Sequence, residues 1–106
     1  MAWYNKLNMS DIKSLQGKIA KFVEERDWNQ FHNPKDLAIS LSLEASEVLE
    51  HFQWKNHEEM AQHVKNHKED VEDELADVLY WVLLMANSLD IDVVAASERK
   101  LIKNAK

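Results

Sequence analysis

The chain has no cysteine, one glycine and one proline in 106 residues. Without cysteine there is no disulfide framework and no thiol chemistry, and the composition fits a reducing compartment. Strand signals are nearly absent, and period-two alternation is not sustained anywhere. Long apolar runs are also missing. The longest, Val78 to Ala86, is about half the length a membrane span requires. The N-terminus lacks the charged-then-apolar pattern of a secretory signal. A soluble cytoplasmic protein with no membrane partner is the expectation. Basic excess is lacking too: the formal net charge is −6. Affinity for a polyanion comes largely from Lys and Arg on phosphates, so no nucleic-acid partner is expected. The acidic excess serves solubility. A small anionic substrate remains open where a metal bridges it to carboxylates.

What is present is apolar residues at 45% and charged residues at 30%, enough for one core and a soluble surface. A single domain over residues 1–106 is expected, with 1–9 as a flexible N-terminal segment and Trp3 as a packing residue. Period 3.6 recurs, so the fold class is all-α with four or five helices. The first helix is expected from an N-cap at Ser10 to about Asp27, with a stripe of Ile12, Leu15, Ile19, Phe22 and Val23. Gly17 inside it costs about 1 kcal/mol relative to Ala, or marks a close approach. Residues 28–33 read as a loop. Asn33-Pro34 then supplies an N-cap and a first-turn proline.

The second helix, about Pro34 to His51, carries Leu37, Leu41, Ala45, Val48 and Phe52 on one stripe and Ile39 and Leu43 on another side. A helix apolar on more than one face is deeply buried or shared with another subunit. A short polar helix over His57–His67 and a longer one over about Lys68–Leu89 follow. The longer stripe is Val71, Leu75, Val78, Leu79, Val82, Leu83 and Ala86. A last helix starts at Asp92 and ends the chain in a basic stretch, an expected truncation point. A chain this short buries a modest core. A homodimer or homotetramer is therefore expected, its helices completing a four-helix bundle.

Two carboxylate pairs stand out, Glu44-Ala45-Ser46-Glu47 and Glu74-Leu75-Ala76-Asp77. Residues three apart are neighbours on a helix, with Cβ atoms about 5–6 Å apart. Taken singly, each is an ordinary solvated edge residue or a partner of a lysine. Two matched pairs, each in the most apolar helix of its half, could aim four carboxylates at one point. Such groups must be protonated, solvated or neutralised by a cation. An oxygen-only set suits Mg²⁺ or Mn²⁺ better than zinc. A di-iron bundle would need Glu-x-x-His on two helices, and no Glu here has His three residues on. His63 and His67 form an i, i+4 pair, and His51 and His57 lie nearby. They read as surface histidines, since zinc would need a third ligand that the sequence does not place.

The combined residues resemble the MazG-like, all-α nucleoside triphosphate pyrophosphohydrolases. Beyond the acid pairs, Arg26-Asp27-Trp28-Asn29-Gln30-Phe31-His32-Asn33-Pro34, Phe52-Gln53-Trp54-Lys55 and Asp73-Glu74-Leu75-Ala76-Asp77-Val78-Leu79-Tyr80-Trp81 are similar to the dCTP pyrophosphatase-like subgroup. Lys100 and Asn104 match a Lys-x-x-x-Asn element of the family. The likeness covers about residues 10–106. Two positions depart from it. Leu43 precedes Glu44 where the fuller motif often has an acid, and Trp81 stands where the subgroup often has Tyr. The chain also ends where the family usually continues with a Tyr-Pro element.

The resemblance implies Mg²⁺ held by Glu44, Glu47, Glu74 and Asp77 and bridging triphosphate oxygens. Water attacks the α-phosphorus, releasing a nucleoside monophosphate and pyrophosphate, with Glu47 as the base. It implies Lys100 and Asn104 on phosphates or acids. Trp28 and Trp54, outside the clean apolar stripes, are either base-stacking residues or structural anchors, and Trp81 bears on base and sugar preference. His32 either reads the base edge or hydrogen-bonds within its loop. House-cleaning of the nucleotide pool with dCTP-like substrates is the expected role. The alternative is a non-catalytic helical interaction module that keeps the fold.

Overall fold

The computed structural model describes residues 9–106. Trp3 and the expected flexible segment fall outside them, apart from Met9. Among the described residues there are five helices and no strand: α1 (Met9–Glu25), α2 (Pro34–Glu50), α3 (His57–Asn66), α4 (Lys68–Ser88) and α5 (Val93–Asn104), with a 3₁₀ turn at Trp28–Phe31. The all-α expectation holds, and α2 begins at Pro34 as the Asn33-Pro34 signal predicts. Within the described residues α1 already includes Met9, one residue before the expected start at Ser10.

Local chemistry sets several boundaries. Asp27 adopts the left-handed conformation (φ 54°, ψ 34°), which Asp tolerates better than most residues. Gln30 Nε2 donates to the Asp27 carbonyl and to its Oδ2, both at 3.0 Å. These bonds organise the expected loop into a 3₁₀ turn. Asn56 opens α3 with a capping box: its side chain accepts from the Glu59 amide at 2.9 Å, and Glu59 accepts from the Asn56 amide at 3.1 Å. Such reciprocal caps satisfy two donors that a helix start otherwise leaves free. Asp92 caps α5 as expected, accepting from the Ala95 amide at 3.0 Å.

The described residues gather into two compact units, one of residues up to 33 with 83–106, the other of 34–82. In the first, Ile19, Val23, Leu83, Leu84, Ala86 and Val94 are buried. Burying each of the larger ones contributes about 1.5–3 kcal/mol. Polar ties reinforce this unit. Asn87 Nδ2 donates to the Gln16 carbonyl at 2.9 Å, and Gln16 Nε2 donates to the Ile91 carbonyl at 3.3 Å. Among the described residues of this one chain, a Cβ at Gly17 would meet nothing within 4 Å.

The second unit holds α2, α3 and the first part of α4. Leu37 is fully buried, while Leu41, Val48, Phe52, Val71, Val78 and Val82 are half-buried. Leu75, expected on the buried stripe of α4, is instead 53% exposed. Ile39 and Leu43 on the second apolar side of α2 are also exposed, so this chain alone leaves that face uncovered. Among the described residues no single helix is long and apolar enough to cross a membrane.

Candidate metal centre

The i, i+3 spacing places Glu44 and Glu47 on neighbouring turns of α2, and Glu74 and Asp77 on neighbouring turns of α4. All four lie in the second unit, and one carboxylate oxygen from each lies within 4.8 Å of the others. Glu44 and Glu74 are half-buried; Glu47 and Asp77 are exposed. The Oε2 atoms of Glu44 and Glu74 are sealed from solvent and have no hydrogen-bond partner. Among the described residues, the ion pairs are Lys13–Asp92, Lys21–Glu25 and His67–Asp70, none of which touches the four acids. Neither solvation nor a lysine partner therefore accounts for the inner oxygens of Glu44 and Glu74.

Within this crowd, Glu44 and Glu74 resist ionisation. Glu44 is pushed above the usual carboxylate range by burial, then by its hydrogen bond with Glu47 and repulsion from Glu47 and Asp77. A hydrogen bond from the Trp81 side chain pulls Glu44 the other way. Glu74 is pushed up to about 7, first by its hydrogen bond with Glu47, then by burial and by repulsion from Glu47, Asp77 and Glu44. Like charges sharing a site and burial both favour the neutral form. A divalent cation among the oxygens would reverse both effects and give the orphaned Oε2 atoms a partner. The donor set is all oxygen, which suits Mg²⁺, Mn²⁺ or Ca²⁺ and disfavours softer ions. The residues present fit a hard divalent metal.

The other sequence-predicted residues fall in different places. Trp81, half-buried on α4, stands edge-on to Tyr80 with centroids 5.2 Å apart. Its bond to Glu44 makes it a support for a candidate ligand. Sequence reading missed that link, because no spacing rule connects residues on separate helices. Trp54 lies in the turn after α2 and is 86% exposed, an unusual condition for so large an apolar ring. Trp28 belongs to the first unit. It packs edge-to-face on Phe22 with centroids 5.7 Å apart, and the Arg26 guanidinium sits 3.6 Å from the Phe22 ring centre. A partly structural role for Trp28 follows from those contacts. Lys100 and Asn104, also in the first unit, line one shallow groove on α5 with Ala96, Ser97 and Leu101.

The model of the MazG-like family matches residues 39–106, which include all four acids. The chain is 36% identical over 98 residues to dCTP pyrophosphatase 1 of Rattus norvegicus, covering 91% of this chain and 56% of that protein. It is 34% identical over 100 residues to dCTP pyrophosphatase 1 of Homo sapiens, covering 92% of this chain and 57% of that protein. The chain thus spans little more than half the length of these relatives. Its fold is similar to the crystal structure of a pyrophosphatase from Archaeoglobus fulgidus, with a TM-score of 0.83 and 36% identity, covering 89% of this chain and 88% of that one.

Proposed function

The chain belongs to the MazG-like family, and from that footing we propose that it is a Mg²⁺-dependent nucleoside triphosphate pyrophosphohydrolase. The observation that carries the proposal is the cluster of four carboxylates within 4.8 Å, two of them with buried, unpartnered oxygens. Similarity to dCTP pyrophosphatase 1 from two mammals supports a deoxynucleoside triphosphate, dCTP-like, as the favoured substrate. House-cleaning of the nucleotide pool in the cytoplasm is the corresponding role.

Glu44, Glu47, Glu74 and Asp77 would hold the metal. A bound divalent ion neutralises phosphate oxygens and lowers the pKa of a water beside it. Glu47 accepts the proton of the attacking water at a carboxylate oxygen, being exposed and already sharing a hydrogen bond with Glu74. The water oxygen bonds to the α-phosphorus while the bond from that phosphorus to the α,β-bridging oxygen breaks. Nucleoside monophosphate and pyrophosphate are the products. Glu44 and Glu74 keep their inner oxygens away from bulk water, so their positions are set before substrate arrives. Trp81 orients Glu44. Trp54 offers an open face for stacking the base, and Trp28 contributes a second aromatic surface. Lys100 and Asn104 serve the phosphates. Residues 1–106 act as a single domain, and the chain works as a homo-oligomer. The exposed Ile39, Leu43 and Leu75 support that assembly.

Purified protein given a panel of deoxynucleoside and ribonucleoside triphosphates should release pyrophosphate only with Mg²⁺ or Mn²⁺, fastest with dCTP or a close analogue. Turnover of none of them would sink the proposal. The variant Glu47→Gln should lose this activity by about a hundredfold or more, the scale of a lost general base, while its helical circular dichroism stays unchanged.

A further inference from the structure

His51, Phe52, Gln53 and Trp54 form the turn that leaves α2, and Asn56 caps α3 just beyond it. The Phe52 and Gln53 amides both donate to the Leu49 carbonyl at 2.9 Å, and the Lys55 amide donates to the Phe52 carbonyl at 3.0 Å. These bonds join near neighbours in sequence, so they shape the turn without tying it to the far end of α3. His63, in the last turn of α3, supplies that tie. Its Nε2 lies 2.8 Å from His51 Nδ1, a hydrogen-bond distance, and both rings are half-buried. Its ring also meets Phe52 edge-on, with centroids 6.0 Å apart. His67 stacks on His63 at 4.7 Å between centroids, and its Nδ1 reaches Asp70 Oδ2 at 3.4 Å. All of these residues lie in the second unit.

We propose that His63 is a positioning residue for the substrate: through His51 and Phe52 it holds the turn that carries Trp54, and so fixes the ring on which the nucleobase stacks. This rests on the proposed function, in which Trp54 is the stacking residue. At 86% exposed, Trp54 has little packing of its own, so its placement comes from the turn. His63 grips that turn at the residues just before Trp54. Lys55, whose charge His63 also feels, comes directly after it. A ring already held in place binds more tightly than one that must be ordered on contact. None of the gripping residues is one of the four acids, so the effect falls on substrate affinity and not on the metal.

A neutral imidazole has one N–H and one bare nitrogen, which is what an N–H···N bond between two rings needs. Burial holds His63 below the usual imidazole range, followed by the positive charges of Lys55, His67 and His51, with Asp70 pulling the other way. Near pH 7 the His63 ring is therefore uncharged and can share such a bond. A phenyl ring in place of His63 would keep the packing on Phe52 and His67 but has no nitrogen. A glutamine there would carry an amide to the place of Nε2. The two substitutions thus separate the bond from the packing.

The test pairs steady-state kinetics on dCTP with ¹⁹F NMR of the full chain labelled with fluorotryptophan, the Trp54 signal being assigned from Trp54→Phe. His63→Phe should raise KM by about fivefold, the scale of one neutral hydrogen bond, with kcat nearly constant. The Trp54 signal should shift and narrow as the ring gains freedom. His63→Gln should restore both KM and the signal. In a Trp54→Ala background, His63→Phe should change KM no further, because the two residues act through one contact. A native KM or a still Trp54 signal in His63→Phe overturns the proposal, and so does an equal rise in KM without Trp54. Thermal melts check folding. Should His63→Phe fail to fold, the unsubstituted protein decides: a scalar coupling between His51 Nδ1 and His63 Nε2 is expected, and its absence overturns the proposal. The fluorine signal needs no turnover. A Trp54 signal that moves in a protein that hydrolyses no nucleotide sinks the proposed function and leaves His63 a structural tie only. An active enzyme with native KM sinks the positioning role alone.

Discussion

Mg²⁺ affinity should depend on pH through Glu74, and Glu74→Gln should remove most of that dependence. A hydrogen bond between the Glu47 and Glu74 carboxyls needs a proton. That bond, burial and three neighbouring acids push Glu74 up to about 7 from an ordinary 4.5. One pH unit below such a value the group is about nine-tenths protonated, and one unit above it about one-tenth. A metal must displace that proton. The apparent Mg²⁺ affinity should therefore fall by about tenfold per pH unit below 7 and level off near 8. The sign for metal-free stability is opposite to the usual acidic residue. The folded state holds the proton more tightly than the unfolded chain, so stability falls as pH rises from 4.5 to about 7 and is flat above. Mg²⁺ should restore stability at the alkaline end of that window. Isothermal titration and thermal melts over this range, for the native protein and Glu74→Gln, check both trends. In the variant, binding should be weaker at every pH and nearly level. Native affinity that is flat with pH, or a variant that keeps the native slope, would refute the electrostatic account.

Other outcomes follow from single contacts. Trp81→Phe keeps the ring against Tyr80 but removes the N–H that Glu44 accepts. Mg²⁺ binding should weaken by about tenfold, as for other outer-shell losses, with little change in melting temperature. Trp54→Ala should raise KM by about tenfold or more with kcat nearly constant, since base stacking is worth about 1–3 kcal/mol. Steady-state kinetics on dCTP separates the two parameters. Gly17→Ala should stabilise the fold by about 1 kcal/mol, because the site is helical with open space around it. A thermal melt shifted up by several degrees would agree, and a lowered one would mean that face of α1 is covered in the assembled protein.

Features written into a few adjacent residues were legible in the sequence. Asn33-Pro34 and Asp92 marked helix starts, and the 3.6 period gave the helices. The acid pairs were visible because i, i+3 spacing fixes neighbours within one helix. Properties that depend on a second helix were not. The stripe of α4 reads as evenly apolar, yet Leu75 is exposed while Leu83 is buried. Periodicity reports which residues share a face, not what that face meets. Trp81 read as a substrate residue, and the partner it finds is Glu44 on another helix. His51 and His63 read as separate surface residues because only tertiary contact brings their nitrogens together.

Why these four acids should face one another at all is a question of stability set against function. Two shielded oxygens without partners and an acid raised to about 7 are local costs to the metal-free fold. An apolar or amide side chain at any of these positions would relieve repulsion and keep the helix. The cluster is thus poorly explained as packing and well explained as a site completed by a cation. The same reasoning separates the two readings offered by the sequence. A non-catalytic helical module gains nothing from carboxylates that resist ionisation beside its core. A phosphoryl-transfer enzyme gains a pre-formed oxygen cage, in which the repulsion that weakens the empty fold becomes attraction for the ion that the reaction needs.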